Sequence, residues 1–172
     1  MIRRRAIVAA LLVAVATSRA ARAEQSAIAD VKAAFLFNFA KFTQWPAIGP
    51  ADAIEICVVG DETIARALTD LTRGQKIDGH AVETRTTAAP SCRVLFVSAG
   101  ARNAVRDAGR TTPILTVSDG GHFAASGGMI ELFVEHDRMR FAVNVDAVQR
   151  AHLILSSRLL GLAKIVRDDH GQ

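Results

Sequence analysis

The feature that most limits what this chain can fold into is a series of short, almost wholly apolar, β-branched segments set apart by stretches of helical spacing. Ile54 to Val59 reads Ile-Glu-Ile-Cys-Val-Val and ends in Gly60-Asp61, and Val94 to Val97 and Pro113 to Val117 are two more such runs. A strand covered on both faces has no polar side to show, so it reads as a continuous apolar run instead of an alternation. Glu62 to Arg73 carries Ile64, Leu68 and Leu71 on one helical face, with Asp61 as its cap and Gly74 as its stop. A second helix is expected over Ala101 to Ala108, ended by Gly109. Strands joined through helices of this length need crossover connections and therefore run parallel. Val82 to Thr86 is polar and alternating, which suits a sheet edge.

Both ends of the chain depart from that alternation. Between Ala27 and Trp45, Ile28, Val31, Phe35, Phe39 and Phe42 fall at offsets 0, 3, 7, 11 and 14, one stripe of a helix that Pro46 ends. Phe37 lies off that stripe and is either core on a second side or an exposed partner contact. Met129 to Val134 and Arg138 to Val143, joined by Glu135-His136-Asp137, should pair as a hairpin. A last helix is expected from a cap at Asn144 to about Val166, with Val148, Leu155, Leu159, Leu162 and Val166 inward. The expected fold is α/β: a single-domain open sheet, mostly parallel with a C-terminal antiparallel hairpin, and helices on both faces.

Charge separates the first 23 residues from the rest. The whole chain has 21 Lys+Arg against 17 Asp+Glu and a pI near 9.7. Met1 to Ala23 joins Arg3, Arg4 and Arg5 to an apolar run from Ala6 to Ala16 and a small-x-small site at Ala21-Arg22-Ala23, the pattern of a cleaved export signal. Eleven helical residues rise about 16 Å, short of a hydrocarbon core of roughly 30 Å. Cleavage after Ala23 takes away five arginines and no acid, leaving residues 24–172 with 16 basic and 17 acidic side chains and a formal charge of −1. A domain so balanced has no basic face for a phosphate backbone, which excludes nucleic acid. No second apolar run reaches spanning length, so the exported domain is expected in the periplasm without membrane insertion.

Ligands of open sheets sit outside the carboxyl ends of the strands. Here those ends bring Asp61, Ser98, Ser118 and Asp119 to a candidate pocket for a small molecule. The loops lack the Gly-x-Gly-x-x-Gly and Gly-Lys-Ser/Thr spacings of phosphate binding. Ser98 and Ser118 lack a Gly-x-Ser-x-Gly elbow. Asp61 and Asp119 resemble receiver acids in position, but no lysine follows a strand. His80, His122, His136 and His152 have no metal-ligand spacing, and His170 lies in a tail beside Asp168 and Asp169. No enzyme, metal or cofactor is expected. Cys57 and Cys92 are either a bridge or two buried thiols, and an oxidising compartment favours the bridge. Apolar side chains off the main stripes, Phe37 and Trp45 near the first helix and Leu160 and Ile165 near the last, are candidates for contact with a partner or a second copy of the chain.

The sequence resembles the YfiR family of periplasmic regulators. The resemblance rests on Val31-Lys-Ala-Ala-Phe-Leu-Phe-Asn-Phe-Ala-Lys-Phe-Thr-Gln-Trp-Pro46, Ile56-Cys-Val-Val-Gly-Asp61 and Ser91-Cys-Arg-Val-Leu-Phe-Val-Ser98. It continues through Leu115-Thr-Val-Ser-Asp119, Phe123-Ala, Gly127-Gly-Met-Ile130, Arg140-Phe-Ala-Val-Asn144 and Leu155-Ser-Ser-Arg-Leu-Leu160. It implies a non-enzymatic protein that binds the periplasmic domain of an inner-membrane diguanylate cyclase and represses it, lowering cyclic di-GMP and biofilm formation. Cys57 and Cys92 match one of the family's cysteine pairs; a second pair of the best-known member has no counterpart, so a structural bridge is what the resemblance implies here.

Overall fold

The apolar segments become neighbouring strands of one sheet. A computed structural model describes residues 2–46, 48, 49, 51–101 and 113–168, with side chains from Arg22 onward. In chain order the elements are α1 (Ile2–Lys41), β1 (Thr43–Gln44), β2 (Ile54–Val59), α2 (Glu62–Thr72), β3 (Lys76–Ile77), β4 (His80–Arg85), β5 (Cys92–Val97) and β6 (Leu115–Ser118). Then follow β7 (Ile130–Glu135), β8 (Arg138–Asn144), α3 (Val145–Arg150), β9 (Ile154–Leu155), α4 (Ser157–Leu160) and β10 (Lys164–Val166). The main sheet has the order β10-β8-β7-β6-β5-β2-β4-β3, and β1 and β9 form a separate two-stranded sheet. Pairing is parallel except at β7–β8 and β3–β4 in the main sheet and at β1–β9.

Alternation divides the side chains of β2 and β5 between two clusters. Ile54, Ile56 and Val58 on β2, Val94 and Phe96 on β5, and Phe141 and Val143 on β8 join the larger cluster, under α1 and α2. Cys57, Cys92, Leu95, Val97 and Ile114 form a smaller one on the opposite face. Of the helix expected over Ala101 to Ala108, residues 102–108 lie outside the described residues. No helix among the described residues is long and apolar enough to cross a membrane.

Four local expectations are corrected. The stripe of α1 is rotated: Ala29, Ala33, Leu36, Phe39 and Ala40 are its buried side chains, while Ile28 and Val31 are 45% and 44% exposed. Alanines let the helix approach its neighbours closely, so the buried line runs along them and the branched residues fall to its flank. The helix also ends at Lys41, before Trp45, because Thr43 and Gln44 pair with Leu155 and Ile154. On α2, Leu71 is exposed and Thr72 is buried, its hydroxyl donating to the Leu68 carbonyl at 2.8 Å. The segment expected at the edge, β4, lies one place inside it. A two-residue turn with positive φ at Asp78 and Gly79 folds β3 back along β4 and makes β3 the edge.

The largest correction is at the C-terminus, where no single helix runs from Asn144 to Val166. Asn144 does cap a helix, its side chain accepting from the Ala147 N–H at 2.9 Å, but α3 stops after six residues and His152 turns to φ 56°. The chain then runs as β9, caps α4 through Ser156, and adds β10 parallel to β8 outside the hairpin. Tertiary partners explain the breaks. The Ser156 N–H donates to the Phe42 carbonyl at 2.9 Å, and Lys164 to Val166 register with Ala142 to Asn144. Leu153, Leu155 and Leu159 are buried, whereas Leu162 is exposed.

One ion-paired carboxylate joins β2 to its neighbourhood. Burial alone would raise the Glu55 carboxyl, but the Ser91 hydroxyl and the Arg85 and Arg93 guanidiniums outweigh it and hold its pKa below the ordinary value. Arg85 Nε lies 2.6 Å and Ser91 Oγ 2.7 Å from Glu55 Oε2. A depressed carboxylate stabilises the fold fully above its unfolded pKa, about 4.3, and that contribution is lost as pH falls through the folded value. Urea midpoints followed from pH 6 to pH 3 should therefore drop more steeply for the native chain than for Glu55→Gln. Parallel curves would show that this carboxylate is not a source of the acid sensitivity.

Candidate functional site

The chain passes from β2 to β4 on one side and returns across β2 to β5 on the other, so the sheet has its topological switch point between β2 and β5. Two of the four predicted pocket residues stand at that crevice and two beside it, at the end of β6. Gly60 takes φ 86°, and a Cβ there would come within 2.4 Å of Ser98 Oγ and 2.8 Å of Ala101 Cβ, so the β2 and β5 ends close together only over a glycine. Ser98 Oγ donates to the Gly60 carbonyl at 3.1 Å. Asp61 accepts from the Thr63 and Ile64 N–H groups at 2.9 and 3.0 Å, capping α2. Ser118, fully buried, accepts from the Gly120 N–H at 3.1 Å.

Asp119 makes the longest-range connection. Its Oδ1 accepts from the Ala99 N–H at 2.8 Å, and its Oδ2 lies 2.5 Å from Lys32 Nζ. One carboxylate thus ties the ends of β5 and β6 to α1. Sequence reasoning missed Lys32, because nothing in a helical stripe shows that a lysine will meet an acid 87 positions away. Lys32 and Asp61 also line a groove of about 290 Å3 with Glu24, Gln25, Ile28 and Thr63. These polar groups hold backbone segments in place. Among the described residues no group of three His, Cys, Asp or Glu side chains is placed to hold a metal ion.

Cys57 and Cys92 are bonded, with their Cα atoms 5.8 Å apart. The register shows how they meet. Glu55 pairs with Cys92, but Ile56 pairs with Val94, so Arg93 is an extra residue in β5. The bulge shifts the alternation by one residue and puts Cys92 on the same face as Cys57 and Leu95.

The four predicted partner-contact residues have different surroundings. Phe37 and Trp45 are half-buried against the larger cluster, Trp45 donating from Nε1 to the Ala40 carbonyl at 3.4 Å. Leu160 lines an apolar groove of about 450 Å3 with Val145, Val148, Leu153, Ile154 and Leu155. Ile165 is 47% exposed on the edge strand β10. Trp45 directly follows β1, which pairs with β9 at the rim of that groove. Phe37 and Ile165 line neither groove. Ile154, 60% exposed at the rim, escaped the sequence reading because the expected helix absorbed the Leu-Ile-Leu triplet.

Comparison with known proteins gives one family. A model described as YfiR/HmsC-like matches residues 29–164, from the buried part of α1 into β10. No curated protein matches the chain.

Proposed function

This chain belongs to the YfiR/HmsC-like family, and from that membership we propose that it acts in the periplasm on an inner-membrane diguanylate cyclase. It binds the extracytoplasmic sensor domain of the cyclase and represses it, which lowers cyclic di-GMP and biofilm formation. The observation that carries this reading is the family match, which takes in the sheet, the cystine and the C-terminal surface together. The buried Cys57–Cys92 bridge supports an oxidising compartment. The strand-end polar groups are engaged in holding the backbone, which supports regulation by contact over catalysis. Contact runs through the apolar side chains that the fold leaves partly uncovered, Trp45, Leu160 and Ile165, with Phe37 on α1. The groove beside Asp61 supports a second reading, a small-molecule binding protein that feeds another membrane sensor.

Cells that carry the cyclase test both. Full-length chain should lower cyclic di-GMP and be recovered with the cyclase from membranes. Ile165→Asp and Leu160→Asp should each raise cyclic di-GMP toward the level of cells without the protein while the purified variants unfold cooperatively. Phe37→Asp should do the same. If cyclic di-GMP does not respond to the protein, and a metabolite raises its melting temperature, the second reading replaces the first.

A further inference from the structure

We propose that residues 24–32 of α1 are a lid over the crevice at the carboxyl ends of β2 and β5, latched by the Lys32–Asp119 ion pair. A groove beside this crevice is walled by Glu24, Gln25, Ile28 and Lys32 from α1 and by Asp61 and Thr63 at the start of α2, and Lys32 reaches from it through Asp119 to the Ala99 N–H after β5. Opening α1 there uncovers the place where open sheets keep their ligand sites.

From Glu24 onward, the two ends of α1 are held differently. Leu36, Phe39 and Ala40 are fully buried, and the Phe35 and Phe39 rings pack on Phe141 at 5.8 and 5.1 Å. Toward the N-terminus the buried side chains are Ala29 and Ala33, each a single methyl, while Ile28 and Val31 are nearly half exposed. A methyl takes little apolar surface out of water, so the directional tie on this end is the ion pair. Its two side chains are 15% and 19% exposed, and the hydrogen bond from the Ala99 N–H fixes the carboxylate to the end of β5. Segments with few buried apolar contacts open separately from the core.

Hydrogen exchange on the full chain tests the latch in Asp119→Asn and in Lys32→Met, the second of which keeps Asp119 and its Ala99 contact. Both should speed exchange at the amides of residues 28–33 by about tenfold or more, the effect of losing one charge-assisted hydrogen bond, with β2 and β5 unchanged. Both native cysteines are bonded to each other, so Thr63→Cys supplies a single free thiol in the groove wall. Its alkylation should speed up by the same factor in either latch variant. Unchanged exchange at 28–33, or a rise shared by β2 and β5, would overturn the proposal. So would faster exchange with unchanged alkylation, because the helix would then fray without uncovering the crevice. If Asp119→Asn does not fold, Lys32→Met decides alone.

Discussion

Replacing Cys57 and Cys92 together by alanine should cost about 4 kcal/mol of unfolding free energy. The bridge closes a loop with a sequence separation of 35 residues, and the chain-entropy estimate for that length is about 4 kcal/mol. Domains have net stabilities of about 5–15 kcal/mol, so this one covalent bond supplies a large share of the margin. Both sulfurs are buried in the smaller cluster, on the face of the sheet that α1 and α2 do not cover. Urea unfolding of the oxidised protein and of the double variant should show a lower midpoint in the variant. Its m-value should be higher, because the unfolded chain without the cross-link exposes more surface. Dithiothreitol should bring the native protein close to the variant and leave the variant unchanged. A difference under about 1 kcal/mol would mean that the unfolded chain is already compact enough for the bridge to add little.

Phe39→Ala should cost about 3–5 kcal/mol, whereas Ile28→Ala and Val31→Ala should each cost under about 1 kcal/mol. All three positions lie on the single stripe that the helical spacing selects, so the spacing alone assigns them similar weight. The structure separates them. Phe39 is fully buried between the Phe35 and Phe141 rings, with the Phe141 ring edge-on at 5.1 Å, and truncation there leaves a cavity that the sheet cannot collapse to fill. Ile28 and Val31 are nearly half exposed and lose little by truncation. Equal losses at the three positions in urea denaturation would restore the unrotated stripe.

The candidate site was legible only in part. Asp61, Ser98, Ser118 and Asp119 could be placed at strand ends because a parallel sheet puts all such ends on one side. Lys32 could not, since its helix carries no mark of which strand end it will cross. Leu160 and Ile165 lie off the stripe of a helix expected from Asn144 to Val166, but that long helix is not formed; they are partly uncovered because Leu160, at the end of α4, lines a groove beside β9 and Ile165 sits on an edge strand.

What the sequence by itself determined is whatever neighbouring residues decide among themselves. Apolar runs between capped helices made a mostly parallel sheet, Asp61 and Asn144 made helix caps, and Glu135-His136-Asp137 made a hairpin, since period, capping and turn chemistry are local. The tertiary structure alone decided matters that depend on distant partners. Thr43 and Gln44 leave the helix to pair with residues more than a hundred positions later, and the same pairing breaks the C-terminal segment into four short elements. The Arg93 bulge turns Cys92 toward Cys57, and Asp119 selects Lys32. In each case a marginal local preference, worth tenths of a kcal/mol per residue, yields to a buried contact or backbone pairing worth about one or more.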